Sequence, residues 1–281
     1  MSTERTRESW SEAMDIDDLL CTVEDGVCRL TLNRPQTLNA ITHDMRERLI
    51  EALDDANGNP EVRAVLLTGT GRAFCSGADL RGTPDATGQG RAPRAAGDVA
   101  RLLRNGVQRL ITAVLDCERP VVAAVNGTAA GIGCHLALAC DLVLASEEAR
   151  FIEVFARRGL VPDGGGAYLL TRLVGPQRAK ELMFFGDDLP AAEAVRLGLV
   201  NRVVPGAELA ATAADWARRL ATGPTLTHAL TKRLVNGALE GDRASCFADE
   251  AMAQEVNMTT RDAGEGLRAF AERRPPVFEG R

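Results

Sequence analysis

An α/β fold followed by a helical C-terminal module is what this sequence predicts, and three observations predict it. Strand-like apolar runs alternate with amphipathic helical patterns from Leu20 to about Val204. Two glycine-rich loops each follow a buried strand. Beyond about Pro205 the pattern is helical to the end. The expected organisation is a polar, disordered tail at 1–16, an α/β core at 17–205 and a helical module at 206–281.

The elements follow in order. "LLCTVEDGVCRLTLN" is two strand-like runs around Asp25-Gly26, a hairpin turn signal. "THDMRERLIEALDDAN" is an amphipathic helix that Thr42 can cap, with Met45, Leu49 and Leu53 four residues apart. "RAVLLTG" is a buried strand, and "TGRAFCSGADLRG" after it reads as loop. The low-complexity stretch 83–98 is expected to be mobile. "VARLLRNGVQRLITAVLDC" places Val99, Leu102, Leu103, Leu110 and Val114 on one helical face. Pro120 then opens the strand "VVAAVNG", and "DLVLAS" is another. Helices follow in "GGGAYLLTRLVG", "PQRAKELMFFG" and "AAEAVRLG", with a short strand in "LVNRVV".

Composition excludes several classes. The 281 residues carry a net charge of −6 with no basic block, which disfavours nucleic acid as a partner. Aromatic residues are 4%, too few for a base-stacking surface. No apolar run reaches the ~18 residues of a membrane span, and the N-terminus lacks the apolar centre of a secretory signal. The seven cysteines show no CxxC pair and read as buried thiols of a cytoplasmic protein. The three histidines have no metal-ligand spacing, so no metal is expected.

The informative stretch is "NGTAAGIGCHLALACD", Asn126 to Asp141. Its glycines precede a helical segment whose first turn has unpaired N–H groups and the positive end of a dipole. It matches neither the dinucleotide nor the P-loop pattern, and it is not a nucleophile elbow. Main-chain donors are then its usable chemistry.

With "FCSGADL" (74 to 80) ahead of it, "LNRPQTLNAI" upstream and "RRGLVPDGGGAYLLTRLVGPQRAKELMFFGDDLPAAEAVRLGLVNRVV" downstream, the chain resembles the crotonase (enoyl-CoA hydratase/isomerase) family. The resemblance runs from about Leu20 to the C-terminus. It implies a spiral of ββα turns forming two sheets, and a helical module that makes trimers, commonly paired as hexamers. It also implies an acyl-CoA thioester as substrate, with coenzyme A bound as part of that substrate and no permanent cofactor.

By position, the two loops would place the N–H groups of Ala78 and Ile132 in an oxyanion hole. Such donors stabilise the enolate that forms when a proton leaves the carbon beside a thioester, at about 3–4 kcal/mol each. Family hydratases hold a water between two glutamates. Here those positions are His135 and Phe155, so the usual hydration chemistry is in doubt unless Glu153 substitutes. Asp163, in "GLVPDGGG", matches the aspartate of the epoxyphenylacetyl-CoA isomerase-like branch, the closest in motif. One carboxylate suffices to move a proton between two carbons. An apolar surround from Leu160, Val161 and Phe155 would raise its pKa. Its alternative role is to cap a helix starting at Gly164. His135 is either an acid/base group or a hydrogen-bonding filler that orients the thioester or Asp163. A thiol nucleophile at Cys75 or Cys134 is the weaker idea.

For coenzyme A the resemblance points to Arg34, Leu38, Asn39 and Ala40, and to the loop Ser76, Gly77, Asp79, Leu80 and Arg81. It adds Gly131 and Gly133, Phe155, and the tail arginines Arg273 and Arg274, with solvated surface as the alternative for the arginines. The favoured activity is enoyl-CoA double-bond isomerisation with Asp163 as proton shuttle. Enoyl-CoA hydration in fatty-acid β-oxidation and non-catalytic acyl-CoA binding are the alternatives.

Overall fold

A computed structural model describes residues 18–81 and 95–281. The tail at 1–16 and most of the 83–98 stretch lie outside the described residues. Strands β1 (Leu19–Glu24) and β2 (Val27–Leu32) pair antiparallel across Asp25 and Gly26, which sit at φ 51° and 78°. Positive φ at both turn residues matches the strand twist.

Strands β3 (Ala64–Gly69), β5 (Val121–Val125), β7 (Leu142–Ser146) and β10 (Arg202–Val204) extend this hairpin into a six-stranded sheet. Its order is β1-β2-β3-β5-β7-β10, parallel throughout except for β1. A second sheet has the order β4-β6-β8-β9, built from β4 (Ala73–Cys75), β6 (Thr128–Ala130), β8 (Arg150–Ile152) and β9 (Leu189–Pro190). Each of β3, β5 and β7 therefore continues, after a short turn, into a three-residue strand of the other sheet. Gly127 lies in the tightest of these turns: a Cβ there would come 2.1 Å from the carbonyl oxygen of Arg72.

Alternation along the large sheet explains why its strands are apolar on both faces. Val65, Leu67, Val121, Ala123 and Val125 face the main core. Leu66, Val122, Ala124 and Leu144 face the other way and pack on Leu209, Ala213 and Ala217 of a later helix, Gly206–Ala221. The sheet's second face is thus completed by residues beyond 205.

Helix α1 (His43–Gly58) begins as expected, with Thr42 Oγ1 accepting from the N–H of Met45 at 3.1 Å. The single helix expected over 99–117 is two, α2 (Asp98–Asn105) and α3 (Val107–Asp116), broken at Gly106 with φ −111° and ψ −105°. Leu110 and Val114 of α3 are buried, but Val99 and Leu102 of α2 are exposed, so the predicted common face does not exist. Next come α4 (Ile132–Ala139), α5 (Gly166–Phe185) and α6 (Ala191–Arg196). Gly175, at φ 75° ahead of Pro176, divides α5 where the sequence placed two helices. The C-terminal helices are α7 (Gly206–Ala221), α8 (Thr225–Ala238), α9 (Arg243–Asn257) and α10 (Arg261–Glu272). No described helix is long and apolar enough to cross a membrane.

A nearly buried cation helps tie helix α8 to the core. Lys232 Nζ donates to Asp141 Oδ2 and to the Val114 carbonyl, both at 2.9 Å, and the same Asp141 oxygen accepts from the N–H of Val121 at 2.7 Å. The Lys232 side chain is nearly buried. Burial raises the Asp141 carboxyl, and Lys232 opposes that rise. Removing the cation leaves a largely desolvated carboxylate unpaired. Lys232→Met should therefore destabilise the protein by on the order of 3 kcal/mol, read as a lower midpoint in urea unfolding at unchanged slope.

Candidate active site

The site is assembled where the two glycine-rich loops meet. The segment 34–41 first locks the earlier loop in place. The side chain of Asn39, fully buried, donates to the carbonyls of Thr70 (3.0 Å) and Ala73 (2.7 Å) and accepts from the N–H of Arg34 (2.8 Å). Leu38 and Asn39 both take left-handed backbone conformations to make this turn (φ 54° and 57°). The chain then runs beside the loop: Ser76 N–H donates to the Leu38 carbonyl, Ile41 N–H to that of Gly77, and Asp79 N–H to that of Ile41.

This is a parallel bridge between Ile41 and Ala78. Residues 77 and 79 bond to Ile41, so the intervening Ala78 turns its N–H to the opposite side. That side is the second loop. A Cβ on Gly77 would come 3.1 Å from the Ala130 carbonyl oxygen, and one on Gly133 would come 2.2 Å from that of Cys75. The contacts bring residues 78 and 132 to one seam. Ile132 is the first residue of α4, where helix geometry gives its N–H no acceptor. The preceding Gly131, at φ 52° and ψ −123°, donates its own N–H to the Ile152 carbonyl at 2.9 Å. Only glycine adopts that conformation easily.

Behind the seam lies a buried polar pair. His135 is fully buried, and its Nε2 lies 3.0 Å from both oxygens of Glu153, which is 3% exposed. The imidazole stacks on Phe155 at 5.5 Å between ring centroids, with planes 7° apart. Its Nδ1 has no hydrogen-bond partner among the described residues. The sequence reading noted Glu153 only as a stand-in for a missing glutamate. Its pairing with a histidine eighteen residues earlier becomes visible only when β8 is laid beside β6, which carries Ile152 next to Ala130.

The "DGGG" turn covers this pair. A Cβ on Gly166 would come 2.2 Å from His135 Nε2, and one on Gly164 2.4 Å from Ile132 Cδ1 and 3.6 Å from His135 Nδ1. Asp163, just before the turn, is half-buried, and among the described residues no hydrogen bond reaches its carboxylate. Burial raises its carboxyl above the usual range; His135 opposes the rise and Glu153 adds to it.

Two expectations for Asp163 need correction. It does not cap the helix, because α5 starts at Gly166 with Gly165 as its cap and no side-chain capping bond. The three glycines delay the first turn beyond its reach. Leu160 and Val161 do not wall it either, since both are exposed (54% and 84%); Phe155 alone of the three is buried. The thiols are poor nucleophiles. Burial pushes Cys75 up to about 12, and burial together with Glu153 holds Cys134 well above the ordinary thiol range.

Three of the four arginines expected to meet coenzyme A, Arg34, Arg81 and Arg274, are already partnered. Asp79 bonds Arg34 Nη1 at 2.9 Å and Arg81 Nη2 at 2.7 Å, and Arg81 foremost holds its carboxyl far below the usual range. Arg34 also reaches Asp18 and the Ala40 carbonyl. Ser76 Oγ donates to the Thr37 carbonyl. Leu80, next to Asp79, is partly exposed. Arg273 ends α10 in a left-handed conformation, and Arg274 pairs with Glu265 and Glu272.

Comparison with known proteins places this arrangement. A family profile described as enoyl-CoA hydratase/isomerase matches residues 22–281. The chain is 39% identical over 264 residues to 1,2-epoxyphenylacetyl-CoA isomerase of Escherichia coli, covering 94% of this chain and 98% of that protein. It is 35% identical over 263 residues to short-chain-enoyl-CoA hydratase of Clostridium acetobutylicum, covering 93% and 97%. The crystal structure of enoyl-CoA hydratase/isomerase from Cupriavidus metallidurans aligns with a TM-score of 0.86 at 35% identity, covering 94% and 97%.

The seam between the loops is testable. Gly133→Ala must separate α4 from Cys75, because none of the three atoms a Cβ would meet, the carbonyl oxygen, carbonyl carbon and Cβ of Cys75, is the end of a flexible side chain. The expected outcome is loss of acyl-CoA turnover beyond a hundredfold together with a lower thermal midpoint, while Gly237→Ala, at a helical glycine with open space around it, keeps both.

Proposed function

Because the chain belongs to the enoyl-CoA hydratase/isomerase family, we propose that it binds an enoyl-CoA thioester and shifts its double bond, with Asp163 carrying the proton. One observation carries this reading. Among the described residues Asp163 is a half-buried carboxylate with no hydrogen bond, whereas both oxygens of Glu153 are engaged by His135. In a 3-enoyl-CoA, the Asp163 carboxylate takes a proton from the carbon next to the thioester. The electron pair left behind spreads through the dienolate to the carbonyl oxygen, which the N–H groups of Ala78 and Ile132 stabilise. The proton returns from Asp163 to the fourth carbon, and the 2-enoyl product forms. A raised carboxyl pKa suits both halves of this cycle.

Hydration is the second reading, favoured by relatives such as the short-chain-enoyl-CoA hydratase. It needs a group that activates water, and Glu153 is not free to do so. Coenzyme A enters with the substrate; Arg34, Arg81, Arg273 and Arg274 are the cations proposed for its phosphates. Apolar side chains left exposed on the C-terminal helices, Phe247, Met252 and Phe270 among them, support self-association. A homotrimer or a dimer of trimers is the assembly proposed, and the cytoplasm the location.

Asp163→Asn should lower kcat for 3-enoyl-CoA isomerisation by about 10²–10⁴-fold. Wild-type hydration of 2-enoyl-CoA should be weak; robust hydration that survives Asp163→Asn would favour the second reading. The rate should fall as pH drops through a carboxyl pKa above the ordinary aspartate range, since the base must be ionised. Stability has the opposite sign. A carboxyl raised on folding favours the folded state below its unfolded pKa, and that advantage is lost as pH rises through the folded pKa. Asp163→Asn should therefore raise the thermal midpoint at neutral pH while it removes activity.

A further inference from the structure

The buried pair His135–Glu153 has no task in the reaction as written above. Such pairs are expensive to bury, and this one is incomplete. Nε2 faces a carboxylate and must carry a hydrogen in either charge state of the ring. Nδ1 is buried and, among the described residues, has no partner. A buried polar atom left without a hydrogen bond calls for an explanation.

The groups around the ring point to one. The titratable side chains facing it are Glu153 at Nε2, the Cys134 thiol beside Glu153, and Asp163, which senses both His135 and Glu153. The glycine turn that leads into α5 lies close to the ring: a Cβ on Gly164, next to Asp163, would come 3.6 Å from Nδ1. As a carboxylate, Asp163 has no hydrogen to offer. Protonated, it becomes the donor that Nδ1 lacks.

We propose that His135, held by Glu153, is a positioning residue for Asp163: its Nδ1 accepts a hydrogen bond from the Asp163 carboxyl only while that carboxyl holds the substrate's proton. This rests on Asp163 being the proton carrier. The step moves no further atoms: the substrate C–H bond breaks, the Asp163 O–H bond forms and points at Nδ1, and the same hydrogen later returns to carbon. An interaction made only in the intermediate accelerates the reaction, whereas one made equally in the ground state does not. Phe155 stacked on one face of the ring and Glu153 gripping Nε2 keep Nδ1 aimed.

Two experiments test it. The first needs no turnover. In protein labelled with ¹⁵N-histidine, the Nδ1 resonance of His135 should move to a hydrogen-bonded position in Asp163→Asn, whose amide always donates, and should not in Asp163→Ala. Identical Nδ1 resonances in both variants would overturn the proposal, whatever the enzyme catalyses. The second uses the double variant His135→Leu/Glu153→Met, which removes the pair without stranding a charge. A folded double variant with at least tenfold lower kcat and near-unchanged KM is the expected result. Unchanged kcat in that folded variant would make the pair purely structural. If the Nδ1 resonance responds but wild type isomerises no enoyl-CoA, the contact stands and the isomerase reading fails.

Discussion

The contact between Gly133 and the carbonyl of Cys75 holds the site together. With no side chain at 133, the first turn of α4 lies directly against the end of β4. Everything chemical depends on that proximity. It brings the amide that begins a helix and the amide that projects from a parallel bridge to a common seam. Neither amide could be satisfied inside regular structure, because one precedes the helical ladder and the other points away from its partner strand. Each of the two proposed donors lies where regular secondary structure ends.

Charge around the seam is arranged asymmetrically. On the inner side, an imidazole and a carboxylate are withdrawn from water, with Asp163 at the edge of the same cluster. On the outer side, Arg34 and Arg81 share Asp79, so a neighbouring carboxylate already shapes their charge. An anionic ligand would meet cations whose orientation is fixed in advance, and pre-ordered partners lose less freedom on binding. On the inner side burial raises the affinity of Asp163 for a proton, with His135 opposing and Glu153 adding to the rise; on the outer side Asp79 orients the two guanidinium groups.

The sequence makes the large sheet legible and leaves the small one hidden. β3, β5 and β7 are apolar on both faces and long enough to stand out as runs. β4, β6 and β8 have three residues each, inside segments rich in glycine and polar residues, so periodicity cannot register them. The break at Gly106 was equally hidden, because a helical spacing of apolar residues continues across it while the chain turns. At the candidate site, the motifs point to Ala78, Ile132 and Asp163. The His135–Glu153 contact is not, since it spans two strands and a helix that only the tertiary structure brings together. Asp163 also shows a local rule yielding: aspartate before a helix ordinarily caps it, but three glycines move the helix start out of range.

That glycine run carries a consequence for how such sequences diverge. Gly166 sits so close to His135 that even a methyl group would overlap the ring, and Gly164 is similarly crowded by Ile132. The space beneath the turn is a fixed volume shared by the side chain at 135 and whatever stands at 164 and 166. Substitutions at 135 and 166 should travel together during evolution: a lineage that shrinks residue 135 makes room for a side chain at 166, whereas Gly164 and Gly165, at φ 54° and 82°, are held to glycine by their backbone conformation whatever stands at 135.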